Sequence, residues 1–176
     1  MKKWICSKNI ANCSLLVGVM FIMGAVITTL SSVTGKSIIQ FSDIVYLILL
    51  GRINLFTLVL SALISGILID LYAGGLIFIP ISILVKILIG LTYYLLRKRV
   101  NIHLIFIISY SWVFIYNLYS YLLWDASVLI VESIVNAIQY SVTVVMSSII
   151  VLSLELNMFN KNKKFHNNKN NKEEIS

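Results

Sequence analysis

Residues 53–96 read INLFTLVLSALISGILIDLYAGGLIFIPISILVKILIGLTYYLL, and this stretch decides the fold. Two apolar runs, Ile53–Leu71 and Leu76–Leu96, flank the turn-forming sequence Tyr72-Ala73-Gly74-Gly75. Each run holds about 20 residues, enough at ~1.5 Å per residue to cross the roughly 30 Å hydrocarbon core of a bilayer. Within them only Asp70 and Lys86 carry charge. The pattern predicts a helical hairpin dissolved in lipid.

The chain on either side repeats the pattern. Apolar runs occupy 10–30, 38–51, 102–124 and 126–154, with Asp43 interrupting the second and Glu132 lying in the last. The 38–51 run is too short for an upright span and predicts a tilted or shielded second helix. Together the runs predict an all-α integral membrane protein, a six-helix transmembrane bundle with a short second helix, in one domain over 1–156. From 157 to 176 the chain turns Asn- and Lys-rich. With so little apolar surface, this basic tail is expected to be disordered.

Composition agrees with lipid as the solvent. Of 176 residues, 59% are hydrophobic and 12% charged, against about 25% charged in soluble domains. The mean hydropathy is +0.94. The net charge of +7 does not point to nucleic acid, because the basic residues cluster at the ends of apolar runs instead of lining a groove between aromatics. Six spans put Lys2, Lys3, Lys8, Arg52, Arg97, Lys98, Arg99 and the tail lysines on one side, leaving Lys36 on the other. The positive-inside bias then predicts that both termini are cytoplasmic. The first run is longer than the hydrophobic stretch of a signal peptide, and no small-x-small cleavage site follows, so it is expected to remain as a span. On that side Cys6 and Cys13 are expected to be reduced thiols.

Ionised groups deep in a bilayer are costly and mark functional sites. Lys86 falls at the middle of its run, too deep to snorkel easily to either surface. It is expected to face a ligand, to pair within the bundle, or both. Glu132, Asn136 and Gln139 stand at i, i+4 and i+7 and share one helical face. A Lys86–Glu132 pair would lower the cost of burying either charge, and the two amides can donate to and accept from a ligand. Trp112 and Tyr116, one turn apart, could stack on a flat ligand or simply pack, with Asn117 beside them. Tyr119, Tyr121 and Trp124 fit an interfacial aromatic belt. Asp70 fits a capping or turn-shaping role as well as a functional one. Ser14 and Gly18 form a small-xxx-small pair on the first helix, and Gly24 extends it, allowing close approach of another helix from this chain or a partner.

Several chemistries lack their residues. Gly35-Lys36-Ser37 has the end of a phosphate-binding loop, but Leu30 stands where its first glycine belongs. There is no HExxH and no CxxC, so no metal or cofactor is expected. Nor is enzymatic activity expected.

Three stretches carry a family resemblance. The run 38–51 resembles the short second helix of S components, the substrate-binding membrane subunits of energy-coupling factor (ECF) vitamin transporters. Gly66-x3-Asp70-x3-Gly74-x5-Pro80-x5-Lys86-x3-Gly90 resembles their third-to-fourth helix passage. Asn136-Ala-Ile-Gln139 is similar to the Asn-x-x-Gln of the hydroxymethylpyrimidine/pyridoxine subgroup, although Ile134-Val135 replaces the Pro-Gly that often precedes it. The alanine-rich first helix of the family is reduced here to Ala11, Ser14 and Gly18. The resemblance implies a substrate-capture subunit in the plasma membrane. It would bind a B vitamin or precursor (hydroxymethylpyrimidine, pyridoxine or a thiamine-like molecule) through Lys86, Trp112, Tyr116, Asn117, Glu132, Asn136 and Gln139. Its partners would be a transmembrane coupling subunit, docked at Ala11, Ser14 and Gly18, and two cytoplasmic ATPases. The Gly-x-x-x-Asp and turn pattern is also similar to that of rod-shape-determining membrane scaffolds of the MreD type, which transport nothing.

Overall fold

The computed structural model describes residues 7–34, 40–123 and 126–173. Lys2, Lys3, Cys6, Lys36, Trp124 and Asp125, together with the start of the 38–51 run, lie outside these residues. Among the described residues helices are joined by short turns, with no strand. The helices are α1 (Ser7–Thr34), α2 (Ser42–Leu49), α3 (Leu55–Tyr72), α4 (Ile79–Leu96), α5 (Ile102–Tyr110), α6 (Ile115–Leu123) and α7 (Ala126–Glu173).

Among the described residues, five stretches are long and apolar enough to cross a membrane: 9–29, 55–72, 76–96, 102–123 and 132–156. Leu15, Ile22, Leu91, Ile130 and Ile149 are among many large apolar side chains facing outward from them. Contiguous apolar surface on this scale is not tolerated in water. The chain is a multi-pass membrane protein.

The second helix does not qualify as a sixth span. Its eight residues reach only about 12 Å at ~1.5 Å each. Because lipid offers its helix ends no hydrogen bonds, α2 sits inside the bundle. Ser42, Asp43, Ile44, Tyr46 and Leu47 are buried, against α1, α3 and α7. The expected single helix over 102–124 is α5 and α6 joined by a 3-10 turn at Ser111–Phe114. The Ser111 hydroxyl donates to the Ile108 carbonyl at 2.7 Å, a side-chain bond that competes with the backbone ladder. Over the described residues α7 runs to Glu173. No glycine or proline interrupts 126–173, so nothing in the backbone stops propagation.

Cross-helix contacts order the bundle. Ser61 on α3 meets Cys13 on α1, Ser65 meets Met20, and Gly24 lies against Ile69. Both series rise together, so α1 runs parallel to α3. On α7, Asn136 meets Asn117, Gln139 meets Tyr110 and Tyr140 meets Ile107, an antiparallel series. Hence α1 begins, and α7 finishes, at the end of the bundle that carries Arg52 and Arg97–Arg99. A Cβ on Gly24 would collide with the Ile69 side chain. The helix that approaches this small position is therefore the chain's own α3.

The end of α3 shapes the opposite end of the bundle. Gly74 has φ +73°, a left-handed conformation that costs other residues roughly 1–2 kcal/mol. The Gly75 N–H donates to the Asp70 carbonyl at 2.8 Å, and the Gly74 N–H to the Leu71 carbonyl at 3.1 Å. This is the Schellman arrangement that closes a helix on a left-handed glycine. It folds Ala73 and Gly75 back beside Asp70. Pro80 then stands in the first turn of α4, where its missing N–H loses no bond.

Candidate functional site: two buried carboxylates in different surroundings

Lys86 is 3% exposed and Asp43 4%. The Lys86 ammonium forms a salt bridge with Asp43 Oδ1. This corrects the expected Lys86–Glu132 pair. Asp43 lies in the first turn of α2, where the helix N-terminus favours a negative charge. Its second oxygen, Oδ2, accepts from the Tyr110 hydroxyl at 2.8 Å. The Tyr46 ring lies under the ammonium, 5.9 Å from centroid to Nζ, and its hydroxyl donates to the Lys86 carbonyl at 3.0 Å. Every strong polar group here has a partner. Because Lys86 marks the middle of its span, its pairing sets the start of α2 at mid-depth. Gly51, just beyond α2, lies against Tyr93 near the Arg97 end.

The pair fixes its neighbour by proton accounting. An ionised Asp43 can only accept, so Tyr110 gives it the phenolic proton. The Tyr110 oxygen must then accept, and Gln139 Nε2 donates to it at 2.9 Å. That orients the Gln139 amide and leaves its carbonyl oxygen for the other side.

On that other side is a cavity of about 80 Å³ lined by Gln40, Asp70, Phe78, Tyr116, Glu132, Asn136 and Gln139, with Ala73, Gly75 and Val113. By the same measure one water needs ~10–15 Å³, so the space holds several waters or a compact ligand group. Asp70 is 5% exposed, and its Oδ2 has no hydrogen-bond partner. The Tyr116 hydroxyl donates to Ser82 Oγ at 2.7 Å. Asn136 Nδ2 donates to Asn117 Oδ1. No basic residue is among the described lining residues.

The predicted site residues therefore separate. Tyr116, Glu132, Asn136 and Gln139 share the cavity, and Asn117 supports Asn136 from behind. Lys86 belongs to the sealed pair and does not line the cavity. Trp112 is not in the cavity either: its indole N–H donates to Thr92 Oγ1 at 2.8 Å, and it is 37% exposed. The 3-10 turn accounts for this, because near three residues per turn Trp112 and Tyr116 no longer stack on one face. Ala11 and Ser14 are exposed on α1, and nothing lies within 4 Å of a Cβ placed on Gly18, so no described residue covers this small-residue stripe.

Sequence reasoning gave Asp43 no role and left Asp70 at the water interface. A usable signal existed for Asp43: a charge within a run too short to span has to be housed inside the bundle. For Asp70 the signal was the Gly74-Gly75 pair, which turns the chain back over the carboxylate. Compared with known proteins, the chain matches no family model, no curated protein and no solved structure.

Proposed function

We propose that this protein is a membrane-embedded substrate-capture subunit of the ECF S-component kind. In this reading it binds a small B vitamin or vitamin precursor in the half of the bundle away from Arg52 and Arg97–Arg99. One observation carries the reading: Asp70, Tyr116, Glu132, Asn136 and Gln139, from three helices, converge on a single cavity that Phe78 and Val113 also line. A few placed polar groups in an apolar cavity are what a small ligand needs for orientation and specificity. With the basic end cytoplasmic, the cavity lies in the outer half of the plasma membrane and both termini lie inside. A coupling subunit would dock on Ala11, Ser14 and Gly18, and its two ATPases would drive release. The protein itself catalyses nothing in this scheme. The test is a thermal-shift screen of the purified full chain against a vitamin panel, followed by Asn136→Ala. A stabilising vitamin whose effect Asn136→Ala removes, with the variant still folded, supports the proposal. A panel without any hit rejects it.

One observation favours a second reading. The Asp43 carboxylate and the Tyr46 ring hold the Lys86 ammonium inside the bundle, so its burial requires no ligand. A membrane scaffold of the MreD type would use such a pair only to hold its helices. Co-purification of the chain from native membranes separates the two, with ATPase and coupling subunits expected for the first and cell-wall elongation proteins for the second.

A further inference from the structure

The charge of the cavity goes one step beyond the ligand-binding reading, on which it rests. Its described lining holds two carboxylates, Asp70 and Glu132, and no cation. Lys86, the deep cation nearest in the fold, is already paired with Asp43. Asp70 Oδ2 is buried and accepts from nothing, an arrangement that costs roughly 1–3 kcal/mol or more until a donor arrives. The surrounding amides add acceptors: Gln139 spends an N–H on Tyr110 and Asn136 spends one on Asn117. Tyr116 gives its proton to Ser82. Each of these amides keeps a second N–H and Gln40 brings its own, but no described lining residue supplies a positive charge to the two carboxylates.

We infer that the cavity takes an organic cation, its ammonium, amidinium or protonated ring nitrogen held between Asp70 and Glu132. A positive N–H donor supplies both things the site lacks, a counter-charge and a proton for Asp70 Oδ2. A divalent metal fits poorly. Among the described residues no three of His, Cys, Asp or Glu gather, and all-protein sites for such ions use six or more oxygens.

The test compares isosteric probes on the full chain in nanodiscs: pyridoxamine against pyridoxine, and benzylamine against benzyl alcohol. Each pair exchanges an aminomethyl for a hydroxymethyl group. The amine of at least one pair should bind at least tenfold tighter than its alcohol. Asp70→Asn should reduce that preference to threefold or less, and Glu132→Gln should reduce it partially. The wild-type comparison needs no variant to fold. Equal or tighter binding of the alcohols overturns the charge inference and leaves the ligand-binding reading standing. Absence of binding by all four probes and by the whole vitamin panel overturns both. Stabilisation by sodium ions alone, lost in Asp70→Asn, would assign the carboxylates to an inorganic ion and overturn the organic ligand.

Discussion

Two carboxylates lie buried on either side of Gln139, and their surroundings differ in kind. Asp43 has a cation on one oxygen, a phenol on the other and a helix N-terminus beneath it. Asp70 has an oxygen with no partner and an open cavity in front of it. Both residues are almost inaccessible, so depth does not distinguish them. What distinguishes them is whether the fold supplies the counter-charge. Where it does, the group holds the structure together, and where it does not, a ligand has something to contribute.

This contrast is breakable by mutation. The largest effect is expected at the sealed pair. Lys86→Met or Asp43→Asn leaves a buried charge alone and should destabilise by about 3–5 kcal/mol, read as a large fall in thermal inactivation temperature in nanodiscs. The double variant Lys86→Met/Asp43→Leu should recover most of that loss, because an apolar pair of similar volume is tolerated there. A double variant no better than the singles would break the comparison from the Asp43 side. Tyr110→Phe comes next. It leaves Asp43 Oδ2 and the Gln139 amide without their partner, at about 1–3 kcal/mol, and should weaken ligand binding by freeing Gln139 to rotate. Gly74→Ala is expected to cost about 1–2 kcal/mol through its left-handed backbone and to lower ligand affinity by shifting Ala73 and Gly75. The smallest effect on the unliganded protein should come from Asp70→Asn. Removing a buried charge that no described cation balances should leave thermal stability within about 1 kcal/mol of wild type or raise it. A loss as large as that of Asp43→Asn would show that Asp70 is structural, and the two regions would then be alike.

Several features were legible in the chain before any coordinates. The apolar runs and the position of Lys86 within one of them are local properties, set by side-chain chemistry and helix rise. The face shared by Glu132, Asn136 and Gln139 follows from periodicity alone, and these three do meet at one cavity. Trp112 and Tyr116 show where that reasoning stops. Their relation assumes a uniform helix, and the 3-10 turn at Ser111–Phe114 changes the rotation between them.

By itself the sequence determined that this chain lives in lipid, that its long elements are helices, and that charges at 70, 86 and 132 fall within spans. Each of these depends on hydrophobicity and spacing along one segment. Only the tertiary structure decided which charges meet. Along the sequence Glu132 falls near the depth of Lys86, Asp43 sits in a run too short to place and Asp70 lies nearer the surface, and depth along an axis says nothing of the angle around it. The short α2, set inside the bundle because lipid cannot satisfy its ends, brought Asp43 to the lysine and left the other two carboxylates to the cavity.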